Sequence, residues 1–407
     1  MSEPIKKTNP ESHSPQPPAI LKMMEEMKMQ NYPEEFILPD KSTKIPPEIK
    51  HYGPAYVAFA NEFAHFLDYT GQGYGFIFDG DWCKDRSYTI ADIISGNATQ
   101  PADFTLKEDI EYLWKAAGFQ FCNTFYADFG RGVYMSEPDM KEAVKHTLCN
   151  LEQPLIMPQN IPACGSIITG YKDNGNILTA YYYTPFWVDM ENNAQSKITE
   201  VSNWYNKDTR LFIAGKRGKT LSLTDIYLEG IRRIYDCLEI NVNGEKRRYY
   251  DEWEAFLRLS KEEMIAEVKR LRAVPGGEGG VGGGKADDDF DDETWWNALA
   301  DKYNNTWCNM AERRYYVMNF FRQAKEYFPE VKDDLQALDD HFWYASEIMG
   351  NDKNGYKSEV GDPVNPKIFE KPEVRIRMAD CVRRLREADE KGLEMVKKLC
   401  KRLDSIY

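Results

Sequence analysis

A tight hairpin near the middle of the chain constrains the fold more than any other feature. Residues 148–186 read as three strands, and the last two are joined by the turn Lys172-Asp173-Asn174-Gly175. Asn-Gly between two β-rich runs is a strong hairpin signal, because both central residues of a type I′ turn need φ > 0. The sequence therefore predicts an antiparallel sheet around this hairpin.

The chain before the hairpin divides into two parts. Residues 1–50 hold nine of the 21 prolines, which interrupt helices and strands. We expect a Pro-rich, partly disordered N-terminal segment with one short Met-rich helix at 19–30. Residues 51–215 alternate helical and strand patterns and end in the antiparallel sheet, which is typical of an α+β domain.

Residues 216–407 have a different character and predict a mostly helical domain, plausible as a bundle. The capping boxes Ser222-x-x-Asp225 and Ser260-x-x-Glu263 mark two helix starts. Further helices are predicted at 294–328, 331–349 and 372–406, with a polar loop at 350–368. A Gly/Asp-rich stretch at 275–292 predicts a flexible, solvated loop.

Composition disfavours several classes of function. The net charge of −14 repels phosphate backbones, so we expect no nucleic-acid partner. Five histidines without HExxH spacing and eight cysteines without a CxxC pair argue against a metal site. The spaced glycines at 71–75 lead into a strand-like run and not into a helix, so we expect no bound dinucleotide and no other cofactor. No apolar run approaches the ~20 residues of a membrane span, and no signal-peptide core is present, so we expect a cytoplasmic protein without a membrane partner.

Catalysis, if present, would use a thiol. The sequence contains no serine elbow, Walker loop or zinc signature, and a thiol site needs a cysteine and a histidine brought together by the fold. The cysteines and histidines of the first domain are Cys83, Cys122, Cys149, Cys164, His51, His65 and His146.

Two blocks of sequence carry a resemblance to a known family. The phrases QPLIMP and PACGSIITGYKDNGNILTAYYY resemble the end of the papain-like domain in proteins similar to butirosin biosynthesis protein H, a fold shared with bacteriocin-processing peptidases. The phrase TGQGYGFIFDGDWC and later pieces such as MAERRYYVMNFFRQA resemble relatives from anaerobic firmicutes, which carry a helical extension. The resemblance implies a papain-like scaffold followed by a helical domain.

The same resemblance implies a degenerate catalytic centre. The family's catalytic histidine falls at Cys164, and the first long helix, which begins at about residues 54–57, lacks the nucleophilic cysteine. A thiol without a base partner is largely protonated near neutral pH, because its ordinary pKa is about 8.5. Cys83 and Cys164 are therefore the candidate catalytic thiols, with Cys83 the one that could replace the nucleophile.

Three hypotheses follow from the sequence. The first is a non-catalytic protein that binds a small molecule or peptide in a cleft between the two domains. Its candidate binding residues are Trp82, Tyr171, Glu312, Arg313 and Tyr316, with Arg314 beside them. The second is a thiol-dependent acyltransferase or amidase of small molecules. The third is an interaction protein whose ring-rich helix at 294–328 presents a patch to a partner or to a second copy in a homodimer.

Overall fold

A computed structural model gives the fold of the protein. It describes residues 18–28, 30–39, 118–120, 122–128, 133–157, 166–184, 195–216, 218–219, 221–244, 248–272, 291–350, 355–361 and 364–407. The helix predicted after Pro54 and most of the Gly/Asp-rich loop at 275–292 lie outside these residues.

One sheet organises the first half of the described chain. Its strands are β1 (Phe36–Ile37), β2 (Cys122–Tyr126), β3 (Val133–Tyr134), β4 (Leu155–Met157), β5 (Ser166–Lys172), β6 (Ile177–Thr184), β7 (Gln195–Ser202) and β8 (Arg210–Ala214). The strand order is β3-β2-β8-β4-β5-β6-β7, and β1 also pairs with β5. All pairs are antiparallel except β2 with β3.

The predicted hairpin is confirmed as the pair β5 and β6. Asn174 has φ 54° and ψ 29°, Gly175 has φ 90°, and the backbone N–H of Asn176 donates to the carbonyl of Asp173 (3.0 Å). This is the left-handed backbone that Asn-Gly supports at low cost. The strand β4 pairs with the first half of β5, and β1 pairs with the second half on the same edge.

Helices account for most of the remaining described chain. Two belong to the sheet unit: α1 (Pro18–Lys28) and α2 (Glu137–Asn150). The others are α3 (Leu223–Val242), α4 (Arg248–Leu257), α5 (Lys261–Arg272), α6 (Asp292–Ala324), α7 (Lys332–Met349), α8 (Tyr356–Val360), α9 (Pro366–Phe369) and α10 (Pro372–Ile406). The last eight form a helical unit, as the sequence predicts for the C-terminal half.

The helix starts follow the capping chemistry in the sequence. The Ser222 hydroxyl accepts the N–H of Asp225 (3.1 Å) at the start of α3. Before α5 the box is reciprocal: the N–H of Glu263 donates to the Ser260 hydroxyl (3.2 Å), and the N–H of Ser260 donates to the Glu263 carboxylate (2.8 Å). These bonds satisfy N–H groups that have no partner within the helix.

The sheet contributes to two buried clusters, because successive side chains of a strand point to opposite faces. In β8, Leu211 and Ile213 pack in the cluster that contains α1 and α2 residues. Phe212 and Ala214 belong instead to the cluster that contains the helical unit. The described sheet therefore lies between a thin helical layer and the larger helical unit.

Two parts of the structure differ from the sequence-based expectations. Residues 30–39 of the N-terminal segment join the sheet through β1, although the sequence separated residues 1–50 from the α+β domain. The polar stretch 350–368, expected as a loop, contains the short helices α8 and α9. Both corrections bring additional chain into the folded core.

Candidate functional site

The Thr169-Gly170-Tyr171 motif of β5 holds residues 30–39 against the sheet. The backbone N–H of Leu38 donates to the carbonyl of Thr169 (2.8 Å). Just beyond the motif, the N–H of Asn174 donates to the carbonyl of Glu34 (2.9 Å). The Thr169-Gly170-Tyr171 motif therefore binds a segment of its own chain.

Gly170 is required by this packing. A Cβ atom at Gly170 would lie 2.7 Å from the carbonyl oxygen of Phe36 and 2.8 Å from Cγ1 of Ile37. Real Cβ contacts do not occur at such distances with a backbone atom, so any larger side chain would push β1 away from β5.

Tyr171, one of the predicted binding residues, is fully buried. Its hydroxyl donates to the carbonyl of Pro33 (2.9 Å) and lies 3.4 Å from Sγ of Cys149. Burial raises the pKa of Tyr171, and the hydrogen bond with Cys149 acts in the same direction. The hydroxyl therefore stays protonated and holds the N-terminal segment.

A second group of polar contacts fixes the same segment. The Tyr32 hydroxyl and the Asn150 amide both lie 3.1 Å from Nδ1 of His146, and the Asn150 amide also donates to the side chain of Gln30. Burial lowers the pKa of His146, although Glu26 opposes this effect. A neutral His146 accepts at Nδ1, so its uncharged form suits the surrounding donors.

The described thiols do not form a catalytic dyad. Burial raises the pKa of Cys149, and it raises that of Cys400 to about 11, so both are protonated at neutral pH. The two described histidines are His146 and His341, and neither makes a hydrogen bond to a cysteine within the described residues. The candidate residues Trp82, Cys83 and Cys164 lie outside the described part of the chain.

The binding residues predicted from the ring-rich helix lie on α6. The backbone of Glu312, Arg313 and Tyr316 is helical, but their side chains lie outside the described residues. Assembly of these residues with Tyr171 into one site stays a prediction.

Arg314, which follows them, is committed to the core. Its Nη2 lies 2.5 Å from Oδ2 of Asp389, and its Nη1 donates to the carbonyl of Met310 (3.0 Å). The Tyr250 hydroxyl donates to the same carboxylate. This buried ion pair joins α4, α6 and α10, so Arg314 is not placed to meet a ligand.

The helical unit contains a buried group of aromatic side chains that we call the ring cluster. Its members come from α4, α6, α8 and α9 and are Trp253, Phe256, Trp296, Tyr303, Tyr356 and Phe369. The ring centroids lie 5.6 Å apart for Trp253 and Tyr356, 5.2 Å for Tyr303 and Phe369, and 4.9 Å for Trp296 and Phe369. These separations lie in the range of favourable aromatic pairs.

Arg375 of α10 borders the ring cluster and is only 1% exposed. Its Nη1 donates to the carbonyls of Phe369 (3.0 Å) and Glu370 (2.6 Å), and its Nη2 donates to the carbonyl of Leu259 (3.0 Å). The guanidinium carbon lies 5.7 Å from the ring centroid of Trp296. Arg375 thus binds carbonyl groups at the C-terminal end of α9 and just after α4, while its guanidinium contacts the ring of Trp296.

Among the described residues, three donor groups of this region have no acceptor: the hydroxyls of Tyr303 and Tyr356 and Nε of Arg375. The oxygen of Tyr303 interacts with the indole N–H of Trp253, so what this hydroxyl lacks is an acceptor for its own proton. Burial raises the pKa of both tyrosines well above its ordinary value; for Tyr303, the Trp253 indole and the Arg375 charge oppose the shift. Both hydroxyls therefore keep their protons and can donate.

The sequence predicted only part of the ring cluster. Trp296 and Tyr303 lie on the ring-rich helix that the sequence identified, but Tyr356, Phe369 and Arg375 were not singled out. The spacing of apolar residues on α10 was the available signal, because it shows the buried face on which Arg375 lies.

The remaining observations concern metals, membranes and relatives. Within the described residues, no group of three or more His, Cys, Asp or Glu side chains is arranged to hold a metal ion. None of the described helices combines the length and apolar character that a bilayer-spanning segment requires. The chain matches no protein-family model, no curated protein and no solved structure.

Proposed function

We propose that this protein binds a small molecule and that the ligand occupies the ring cluster of the helical unit. The scaffold of the sheet unit is proposed to be papain-like, on the resemblance of its hairpin motif, and the location to be cytoplasmic. The observation that carries the proposal is a pair of fully buried hydroxyls among packed rings, those of Tyr303 and Tyr356, whose protons have no acceptor in the described part of the chain.

Burial of these hydroxyls without an acceptor destabilises the folded protein. A buried polar group without a partner costs about 1–3 kcal/mol, and nearly all such groups in folded proteins are satisfied by protein, water or a ligand. Tyr303 and Tyr356 both contribute such a hydroxyl. A ligand with acceptor atoms would remove this cost, and the surrounding rings would supply apolar contact area.

Access to the ring cluster is proposed to occur through the two short helices. Tyr356 and Phe369 belong to α8 and α9, which have five and four residues. Helices of this length are not stable alone and depend on tertiary packing. Local opening of this region therefore requires less free energy than global unfolding.

A binding role is favoured over thiol catalysis by the described thiols. Cys149 is protonated, because burial raises its pKa, and its neighbour is the Tyr171 hydroxyl. An acyltransferase or amidase would therefore use a thiol outside the described residues, such as the predicted Cys83 or Cys164. Loss of a measured turnover on alkylation of either cysteine would support the enzyme and contradict the binding role.

The test is a thermal-unfolding screen of the full chain against a panel of small aromatic compounds. We expect at least one compound to raise the unfolding temperature, and Tyr356→Phe to weaken that compound at least tenfold. Tyr227→Phe is the matched control, because the Tyr227 hydroxyl is also in the helical core but donates to Gln323 (3.0 Å). The Tyr227→Phe variant should bind the compound as tightly as the wild type does.

The result against the proposal is equally definite. If no compound shifts the unfolding temperature, or if Tyr356→Phe binds as tightly as the wild type, the ring cluster is a packed core. In that case the hydroxyls are satisfied by ordered water.

A homodimer is a second candidate role, supported by one observation. Trp343 and Tyr344 are neighbours on α7 and are 46% and 49% exposed. Large aromatic side chains at the surface are enriched in protein interfaces. Sedimentation velocity at micromolar concentration should show a dimer that Trp343→Ala dissociates, whereas a monomeric wild type would exclude this role.

A further inference from the structure

We propose that the ligand of the ring cluster carries a single carboxylate, and that Arg375 is the residue that binds it. This inference rests on the proposed small-molecule binding but names the chemical class of the ligand. It is carried by a separate observation: a buried guanidinium that makes no direct ion pair among the described residues.

Arg375 has no acidic partner in the described part of the chain. Its three hydrogen bonds all go to backbone carbonyls, and no carboxylate lies within 4.0 Å of its nitrogens. The neighbouring carboxylate of Glu370 pairs instead with Nζ of Lys261, at 2.9 Å. Burial lowers the pKa of Arg375, and the carboxylates of Glu262, Glu370 and Glu373 oppose this shift from beyond ion-pair distance. The guanidinium is thus held in the interior without a direct ion pair.

Arg314, another buried arginine of the helical unit, has the direct ion pair that Arg375 lacks. Arg314 is 5% exposed, and its guanidinium meets the Asp389 carboxylate at 2.5 Å. Arg375 is 1% exposed and has no equivalent of Asp389. Burial of an ion is unfavourable unless a partner compensates it, so the helical unit pairs one buried cation directly and leaves the other without an anion in contact.

The free donors fit a carboxylate. Among the described residues, Nε of Arg375 and the O–H groups of Tyr303 and Tyr356 have no acceptor. The rings of Tyr303 and Tyr356 lie 6.1 and 5.6 Å from that of Trp253. Arg375 donates to the carbonyl of Phe369, whose ring centroid is 5.2 Å from that of Tyr303, so the three groups belong to one part of the core. A carboxylate has two acceptor oxygens and no donor, which matches this set.

The charge of Arg375 and the rings around it narrow the chemical class of the ligand further. A phosphate monoester carries close to two negative charges at neutral pH. A second cation, Lys261, lies 5.2 Å from the ring centroid of Trp296 but pairs with Glu293 and Glu370, so among the described residues Arg375 is the cation of this region without a direct ion pair. The rings of Trp296 and Phe369 are stacked at 4.9 Å beside Arg375. The ligand is therefore an aromatic or otherwise planar monocarboxylate.

The experiment compares benzoate with benzamide by calorimetric titration of the full chain. The two probes have the same shape, but only benzoate is charged. We expect benzoate to bind at least tenfold more tightly than benzamide at pH 7. Tyr356→Phe should weaken benzoate at least tenfold with a folded protein, and Arg375→Gln should remove the preference for benzoate.

The probe comparison and the Arg375→Gln variant separate the two proposals. Equal binding of the two probes, or an unchanged preference in Arg375→Gln, overturns the carboxylate assignment and leaves small-molecule binding standing. Failure of benzoate when other aromatic compounds bind overturns it as well. Failure of all compounds overturns both proposals. If Arg375→Gln does not fold, the Tyr356→Phe titration decides the outcome, because benzoate affinity equal to wild type contradicts the assignment.

Discussion

Substitution of Gly170 by alanine should release the N-terminal segment from the sheet. The new Cβ would lie 2.7 Å from the carbonyl oxygen of Phe36, so β1 must move away from β5. Three hydrogen bonds between the segment and the hairpin would be lost, those of Leu38, Asn174 and the Tyr171 hydroxyl. At about 1 kcal/mol each, the segment loses about 3 kcal/mol of docking free energy.

Hydrogen exchange measures this loss directly. A loss of about 3 kcal/mol corresponds to a roughly 100-fold drop in protection, which we expect at the amides of Leu38 and Asn174. Gly175→Asn is the control, because asparagine tolerates the positive φ at that position (90°) and the nearest atom to a Cβ there is 3.4 Å away. Unchanged protection in Gly170→Ala would show that the close packing of this glycine does not hold the segment.

Three further predictions concern pH, a buried ion pair and a helix cap. Burial lowers the folded-state pKa of His146 below the unfolded value of about 6.5, so the unfolded chain binds the proton first and stability falls as the pH decreases below about 6.5. Denaturant titrations at several pH values should show that stability depends less on acid in His146→Gln than in the wild type. The control His341→Gln should leave hydrogen exchange of residues 30–39 unchanged. An acid dependence equal to wild type in His146→Gln would contradict the role given to His146. Asp389→Ala should destabilise the protein by about 3–5 kcal/mol, because it leaves Arg314 buried without its partner; a loss below 1 kcal/mol in chemical denaturation would contradict this. Ser222→Ala should cost about 1 kcal/mol in the same assay, through loss of the N-cap bond, and no change would show that this cap is replaced by water.

The features that the sequence predicted well are local ones. Asn174-Gly175 predicted the hairpin because the turn chemistry is contained in two residues. The box formed by Ser260 and Glu263 predicted a helix start for the same reason. The final helix was predicted from Pro372 to Ile406, as observed, since proline favours the first turn and the apolar period continues to the end.

The features that the sequence did not predict depend on contacts between distant residues. Tyr171 was expected at a ligand, but its hydroxyl binds Pro33, which lies 138 residues earlier. Strand β7 was not predicted, because an edge strand needs few apolar residues and its Ile198 is 66% exposed. The apolar spacing of α10 includes the position of Arg375, but a buried charge there depends on acceptors elsewhere in the fold, such as the carbonyl of Leu259, 116 residues away.

The role assigned to the ring cluster is tested most directly by a high-resolution crystal structure of the full chain grown with benzoate. The account predicts density for the probe within the ring cluster, with its carboxylate at hydrogen-bond distance from Nε of Arg375 and from the hydroxyl of Tyr356. A cluster that is closed around ordered water, with those two groups bonded only to that water in the presence of saturating benzoate, would contradict it.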